Sequence, residues 1–197
     1  MKESIYIHPT AIIEKNVTIG EGTSVWHHCH VRQDCSLGKN VSLGKGVFID
    51  QGVTIGSGSR IQNGVNVYNG VIIKEWVFVG PNVTFTNDKY PRAGSKHWKL
   101  SKTYLMPGCS IGAGSVLSSE ITIGAFALVG AGSVLMADVL PFHLVYGLPA
   151  KQVSKICACG NTRLDFSVPK EEYLRECCQQ NLREEVIELA MQQIELL

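Results

Sequence analysis

The sequence predicts an all-β solenoid, in which the chain coils into a prism of stacked parallel strands. A large apolar residue returns at every sixth position, and glycine is concentrated directly after that position or two residues later. A flat strand alternates with a period of two, so a strict period of six indicates that the chain turns a corner every six residues. The inward positions are Ile7, Ile13, Ile19, Val25, Val31, Leu37, Leu43, Ile49, Ile55, Ile61, Val67, Ile73, Val79 and Phe85, then Leu105, Ile111, Leu117, Ile123, Val129 and Leu135.

The glycines are expected to form the corners of the prism. Pairs such as Gly20 and Gly22, or Gly56 and Gly58, follow the large apolar residue, and positive φ is cheap only for glycine. Three repeats make one coil, so residues eighteen apart are expected to stack on one edge of a three-sided prism. Neighbouring coils then lie about 4.8 Å apart.

The repeat defines the predicted organisation of the chain. It lapses over Asn87–Tyr104, which we interpret as a loop inserted into the prism domain, residues 1–150. Its charged and aromatic residues indicate function, because a structureless loop of this length is uncommon otherwise. Residues 151–197 form a tail, in which apolar residues at three- and four-residue spacing predict an amphipathic α-helix over Lys170–Leu197. This helix is expected to cap the prism or to meet its copies.

Composition narrows the classes of function. The 197 residues carry a net charge of +1, which gives no bulk attraction for nucleic acid or an anionic membrane. No apolar run approaches the roughly 20 residues that span a bilayer, and Met1–Thr10 does not resemble a secretory signal, so a cytoplasmic location is expected. Seven cysteines, an odd number, favour reduced thiols over a disulfide framework.

One predicted edge lacks glycine. An idle edge could have kept its glycines, so we interpret this polar edge as the binding surface for an extended polar ligand. The alternative is a solvated ladder of ion pairs, each contributing about 0–1 kcal/mol; that alternative fully accounts for Arg32. The residues of this edge are Glu14, Arg32, Asp50, Tyr68 and Thr86.

Ile19-Gly20-Glu21-Gly22, Ile55-Gly56-Ser57-Gly58 and Val129-Gly130-Ala131-Gly132 resemble the hexapeptides of the left-handed β-helix acyltransferases. The resemblance covers about Ile7–Ala150 and implies a left-handed parallel β-helix. The left hand comes from the resemblance alone, since parallel crossovers are generally right-handed.

Three stretches show a closer resemblance, to bacterial N-acetyltransferases that act on nucleotide-linked 3-amino sugars. They are Ile61–Tyr68, Val77–Asn82 and Phe85–Ala93. The resemblance implies acetyl-CoA as co-substrate, a homotrimer with its active site between subunits, and contact between Asn87 and the sugar amine. Lys89 and Arg92, with Arg32, are then candidates for binding a sugar carboxylate or a diphosphate.

The same resemblance places CoA along the later coils. Its pantetheine arm is expected at small residues whose backbone amides are accessible, and Gly147–Lys151 is similar to the turn that lies near the CoA nucleotide. The residues expected to contact CoA are Ala113, Ser118, Ala125, Ala131 and Lys151.

The resemblance predicts a nucleotide-sugar N-acetyltransferase of surface-polysaccharide biosynthesis, such as that of the O-antigen of lipopolysaccharide. A UDP-2-acetamido-3-amino-2,3-dideoxyglucuronate substrate is favoured because Cys157–Gly160 resembles the tail of that branch. The alternative substrate is a dTDP-3-amino-3,6-dideoxyhexose. Cys157–Gly160 also resembles half of a zinc ribbon, but only the adjacent Cys177 and Cys178 follow. We therefore interpret it as a remnant and expect no metal.

Two further classes of protein remain open. Carbonic-anhydrase-like β-helices bind zinc through three histidines, but His8, His97 and His143 form no ladder with the cluster His27, His28 and His30. A non-enzymatic scaffold would have no reason to keep the loop after Asn87. Within the acyltransferase class, His28 or His30 is a candidate general base. The departing thiolate is the alternative proton acceptor, and no cysteine nucleophile is required.

Overall fold

The computed structural model of the protein describes residues 4–96 and 98–197. They form a parallel β-solenoid of about eight turns followed by a tail, which confirms the predicted fold class. Predictions that concern Met1–Glu3 and His97 lie outside the described residues.

The prism has three sheets, to which successive short strands contribute in rotation. The strands of sheet 1 are β1 (Tyr6–Ile7), β4 (Ser24–Val25), β7 (Ser42–Leu43), β10 (Arg60–Ile61), β13 (Phe78–Val79), β16 (Ser110–Ile111), β19 (Leu128–Val129), β21 (His143–Gly147), β22 (Ala150–Ile156) and β23 (Arg163–Leu164). Those of sheet 2 are β2 (Ile12–Ile13), β5 (His30–Val31), β8 (Phe48–Ile49), β11 (Asn66–Val67), β14 (Thr84–Phe85), β17 (Val116–Leu117) and β20 (Val134–Leu135). Those of sheet 3 are β3 (Thr18–Ile19), β6 (Ser36–Leu37), β9 (Thr54–Ile55), β12 (Val71–Ile73), β15 (Thr103–Leu105) and β18 (Thr122–Ile123).

Strand register confirms the eighteen-residue coil. Ser24 pairs with Ser42 and Ser42 with Arg60, whereas Phe78 pairs with Ser110, thirty-two residues along the chain. Between β14 and β15 the chain therefore adds fourteen residues to one coil. Residues 86–102 form the connecting loop, and Tyr104 already belongs to β15, so the loop ends before the predicted boundary.

The inward columns form a continuous apolar core. Their side chains are fully buried from Val25 onward, including Ile61, Phe85 and Leu117. In contrast, Ile7 is 42% exposed and Ile13 only half-buried, since among the described residues no further coil covers the first one. The narrow prism thus gains its stability from stacking, as expected for a solenoid.

The two glycine positions at each corner have different physical reasons. Gly22 and Gly58 have φ of 72°, as predicted. Gly20 and Gly56 do not, and the prediction of positive φ was wrong for them. Their neighbours approach too closely for a side chain: a Cβ at Gly56 would lie 2.4 Å from the backbone of the next coil.

The tail folds along the edge between sheets 3 and 1. The predicted helix Lys170–Leu197 is instead three pieces: a short 3-10 helix (Lys170–Tyr173), α1 (Glu176–Asn181) and α2 (Glu184–Glu195). Extended residues interrupt it, and the reversals bring buried tail side chains onto the prism. Phe126, Phe142 and Tyr173 form a stack with centroid distances of 5.3 and 4.7 Å. No described helix has the length and apolar character that a membrane span requires.

Candidate functional site

The polar edge predicted from the sequence exists as one line of corner residues between sheets 2 and 3. Each of its five members follows a strand of sheet 2, and those strands pair in register. With coils about 4.8 Å apart, the line from Glu14 to Thr86 is roughly 19 Å long. The alignment is therefore confirmed, while ligand binding along it stays a prediction.

The first three members of the polar edge, Glu14, Arg32 and Asp50, are joined by ion pairs. Arg32 Nη1 donates to Asp50 Oδ1 at 2.7 Å, and Arg32 Nε lies 3.9 Å from Glu14 Oε1. Glu14 also accepts the backbone amide of Gln33 at 2.9 Å and contacts His30 Nε2 at 2.8 Å. The ladder of ion pairs is a sufficient reason for Glu14, Arg32 and Asp50 to occupy these corners. Because their side chains stack from coil to coil, glycine is not needed there.

The two carboxylates are stabilised in their charged form. The His30 hydrogen bond and the Gln33 amide lower the pKa of Glu14. Burial acts to raise the pKa of Asp50, but the amides of Gln51 and Asn69 and the Arg32 guanidinium outweigh it, and the pKa is lowered. Both groups are thus anionic at neutral pH and fix the corners of neighbouring coils.

At the end of the polar edge near the loop, fewer of the polar side-chain atoms of the described residues are paired. Tyr68 is 36% exposed and packs edge-on against Phe48, while Thr86 Oγ1 donates to the carbonyl of Leu117 at 3.0 Å. Asn87 is half-buried, and its Nδ2 donates to the carbonyl oxygen of Asn69 at 3.4 Å. Because a carbonyl can only accept, this contact fixes which amide atom is the nitrogen.

The oxygen of the Asn87 side chain has no such partner in the described part of the chain, since no donor of residues 4–96 or 98–197 reaches Asn87 Oδ1. The anchored amide therefore offers an acceptor at the point where the polar edge meets the loop.

The loop after Asn87 encloses a cavity of about 470 Å³, within the size range of ligand pockets. Lys89 Nζ pairs with Glu120 Oε2 at 3.2 Å, and the hydrogen bond from Lys89 lowers the pKa of Glu120. Arg92 is exposed, and its Nη1 donates to the neighbouring carbonyl of Pro91 at 2.9 Å. The cavity is lined by Asp88, Lys89, Tyr90, Ser95, Trp98, Lys99, Ser101 and Glu120.

Sequence reasoning missed Glu120. It lies one coil beyond Thr86 on the same edge, because β14 pairs with β17 across the loop. Continuing the polar edge past the insertion, with its fourteen added residues, would have reached Ser118 and then Glu120.

The residues expected to bind CoA lie on different parts of the prism. Ala113 and Ala131 are exposed and stack on the edge between sheets 1 and 2, whereas Ser118 lies on the polar edge. Lys151 is exposed at the start of β22. Ala125 is 4% exposed and packed under the tail, and CoA contact at this position stays a prediction. The tail covers this corner. The hexapeptide repeat did not predict the path of the tail.

Of the described histidines, His8, His27, His28 and His30 lie on the first two coils, away from Asn87. The His8 and His27 rings stack with centroids 3.4 Å apart, and His28 lies on the edge between sheets 1 and 2. His30 lies three coils from Asn87, about 14 Å along the prism. No group of three potential metal ligands among the described residues contains a histidine. The described part of one chain therefore lacks the three-histidine site of the anhydrase class.

The tail brings together four cysteines that sequence reasoning had separated. The Sγ atoms of Cys157, Cys159, Cys177 and Cys178 all lie within 4.8 Å of one another. Burial acts to raise the pKa of Cys157, but hydrogen bonds from the Thr162 amide and from the neighbouring thiols lower it to about 7. The adjacent pair on α1 reaches the first pair because the chain reverses between them.

Comparison with known proteins identifies the repeat. Residues 16–51 and 52–87 match the bacterial transferase hexapeptide, six repeats. Residues 16–87 thus resemble the hexapeptide repeats of bacterial transferases. These matched repeats include the polar edge from Arg32 to Thr86 and end at Asn87, where the loop begins.

Two curated proteins resemble part of the chain. One is the dTDP-3-amino-3,6-dideoxy-α-D-galactopyranose 3-N-acetyltransferase of Aneurinibacillus thermoaerophilus, 40% identical over 67 residues, which are 34% of each protein. The other is a serine acetyltransferase of Buchnera aphidicola subsp. Schizaphis graminum, 33% identical over 86 residues, 43% of this chain and 33% of that protein. The match thus spans about a third of the length of these relatives.

The fold also resembles solved hexapeptide-repeat structures. A hexapeptide transferase family protein from Anaplasma phagocytophilum matches with a TM-score of 0.55 at 19% identity, covering 98% of this chain and 91% of that one. This likeness supports the assigned coil over nearly the whole length of the chain.

Proposed function

We propose that the protein transfers an acetyl group from acetyl-CoA to the 3-amino group of a nucleotide-linked amino sugar. The observation that carries this proposal is the anchored Asn87 amide, whose oxygen accepts no hydrogen bond from the described residues and stands between the polar edge and the loop cavity. The resemblance of the sequence to a sugar 3-N-acetyltransferase supports the same reaction.

The reaction requires a neutral amine held close to the thioester carbonyl. In the proposed mechanism Asn87 Oδ1 accepts a hydrogen bond from the amine N–H, which directs the nitrogen lone pair toward the carbonyl carbon. The new C–N bond forms as the C–S bond breaks, and the departing thiolate takes the amine proton. Backbone amides of the later coils are suited to stabilise the oxyanion.

The loop supplies the charges for the nucleotide sugar. Lys89 and Lys99 line the cavity and the exposed Arg92 belongs to the same loop, so these cations are available to bind a diphosphate or a sugar carboxylate. A UDP-2-acetamido-3-amino-2,3-dideoxyglucuronate is the substrate that these cations and the Cys157–Gly160 resemblance favour. The second candidate is a dTDP-3-amino-3,6-dideoxyhexose, the class named for the relative from Aneurinibacillus.

The complete site requires more than one copy of the chain. The polar edge lies between sheets 2 and 3, whereas the exposed small residues Ala113 and Ala131 lie between sheets 1 and 2. One chain therefore cannot present both surfaces to a single substrate pair. We propose a homotrimer, in which the polar edge of one prism faces the Ala113–Ala131 edge of its neighbour and the pantetheine arm lies between them.

The proposed reaction fits cytoplasmic synthesis of precursors for surface polysaccharides, since its donor and acceptor are both cytoplasmic metabolites. It is tested by measuring release of the CoA thiol with UDP- and dTDP-linked 3-amino sugars, each beside the matching sugar that carries a 3-hydroxyl. Release that requires the amine supports the proposal and identifies the nucleotide. No release with any member of the panel would favour the scaffold class instead.

The oligomeric state is measured separately by light scattering during size-exclusion chromatography. We expect a mass of three chains. A monomer that is nevertheless active would contradict the shared site.

A further inference from the structure

The cysteines of the protein fall into two structurally different groups. Cys29, Cys35 and Cys109 lie in the prism core, where Cys29 and Cys35 contact backbone carbonyls rather than other thiols. Cys157, Cys159, Cys177 and Cys178 instead contact one another in the tail. Small apolar filling explains the first group, but it gives no reason for four sulfur atoms to meet at one point.

The chain builds this cluster from two local segments. Cys157 follows directly on β22, and the Gly160 amide donates to the Cys157 carbonyl at 2.8 Å, which closes a tight turn around Cys159. The first turn of α1 supplies Cys177 and Cys178. The antiparallel pairing of β22 with β23 fixes the position of the first segment.

Three of the sulfur–sulfur distances match those of a tetrahedral thiolate site, and Cys178 Sγ lies within 4.8 Å of the other three sulfurs. Cys157 Sγ lies 3.5 Å from Cys159 Sγ and 3.8 Å from Cys177 Sγ, and Cys159 Sγ lies 3.6 Å from Cys177 Sγ. Four sulfurs at about 2.3 Å from a zinc ion are separated by about 3.8 Å. A disulfide would instead bring two sulfurs to about 2.05 Å, and all four cysteines are free.

Hydrogen bonds to the sulfurs resemble the outer shell of a metal site. The Thr162 amide donates to Cys157 Sγ at 3.2 Å, and Thr162 Oγ1 lies 3.5 Å from Cys177 Sγ. Such donors orient ligand atoms and stabilise negative charge on them. Soft thiolates in this geometry select zinc among the common divalent ions.

The helical segments of the tail are short. Helix α1 has six residues and α2 has twelve, and neither begins with a side-chain cap. Short helices are marginal without tertiary packing, and Val186 and Ala190 of α2 lie in the same buried cluster as Cys157 and Cys178.

We propose that Cys157, Cys159, Cys177 and Cys178 bind a zinc ion that fixes the reversed tail against the prism. The sequence led us to interpret Cys157–Gly160 as a remnant of a zinc ribbon and to expect no metal, and the proposed zinc site replaces that expectation. The site is independent of the proposed acetyl transfer. Zinc binding displaces the thiol protons, so zinc is released as the pH falls. Binding needs no oxidant, because the sulfur atoms keep their oxidation state.

The test is metal analysis of the full chain, purified under reducing conditions and dialysed against metal-free buffer. We expect one zinc per chain in the wild type and in the control Cys109→Ala, whose thiol is buried in the prism core, remote from the cluster. Cys177→Ser is expected to lower the zinc content at least tenfold. Zinc retained by Cys177→Ser at the wild-type level would overturn the four-cysteine site.

A measurement on the wild-type chain covers the case in which Cys177→Ser does not fold. Protein prepared with cobalt should show the absorption bands of tetrahedral cobalt thiolate, and added zinc should abolish them. Octahedral cobalt spectra, a bound iron–sulfur cluster, or metal-free protein with seven reactive thiols would each refute the proposal.

Discussion

Replacing Gly56 with alanine tests the stacking on which every edge of the prism depends. The added Cβ would lie 2.4 Å from both the Lys74 carbonyl carbon and the Glu75 amide nitrogen, whereas ordinary contact begins at 3.4 Å. The coils must therefore separate by about 1 Å, and the 2.9 Å hydrogen bond from the Gly56 amide to the Ile73 carbonyl is lost. Overpacking and an unsatisfied amide together cost about 3–5 kcal/mol of the free energy of unfolding.

Gly46→Ala provides the matched control, since no atom lies within 4 Å of its added Cβ. Its φ of 70° limits the expected cost to about 1–2 kcal/mol. Urea unfolding, followed by circular dichroism at one protein concentration, gives both values. Equal losses for the two variants, or a neutral Gly56→Ala, would refute the close approach between coils.

Further predictions concern the site and its ladder. Asn87→Ala should lower kcat about 10–100-fold, the equivalent of one lost orienting hydrogen bond of about 1.5–3 kcal/mol. The control Asn40→Gly, on another edge, should leave kcat unchanged. A normal kcat in the Asn87 variant would remove this residue from the mechanism. Lys89→Ala should raise KM for the nucleotide sugar and leave KM for acetyl-CoA unaltered, and steady-state kinetics showing the reverse would contradict its assignment. Asp50→Asn should cost about 1–2 kcal/mol of stability at pH 7. Because the folded pKa of Asp50 is lowered, its contribution to the free energy of unfolding is present above the unfolded pKa of about 4 and is lost as the pH falls through the folded pKa. Urea unfolding of the wild type and of Asp50→Asn at pH 7 and pH 3 measures this. The same difference between the two proteins at both pH values would contradict the assignment.

The period of six determined much of the architecture from sequence. Every third repeat returns to the same edge, so Glu14, Arg32 and Asp50 could be aligned without knowledge of the structure. Their partners in hydrogen bonds could not be predicted, because a corner carboxylate can bind either a cation or the amide of the next coil.

Features that depend on tertiary contacts escaped the sequence. The apolar spacing of the tail is continuous, but Leu174 and Leu182 are extended because burying Tyr173 and Cys178 against the prism requires reversals there. For the same reason the accessibility of Ala125 and the convergence of the cysteines could not be deduced. The end of the loop was misplaced because Thr103–Leu105 is identified as a strand only by its pairing with β12 and β18.

The most direct test of the proposed reaction is the position of the transferred group. The protein is incubated with acetyl-CoA labelled with ¹³C at the carbonyl and with the nucleotide-linked 3-amino sugar that releases thiol most rapidly. Carbon–proton correlation spectra of the purified product should show the label bonded to the nitrogen at C3 of an intact nucleotide sugar. Label on a hydroxyl oxygen, or none on the sugar, would contradict the assignment of the polar edge and Asn87 to amine acetylation.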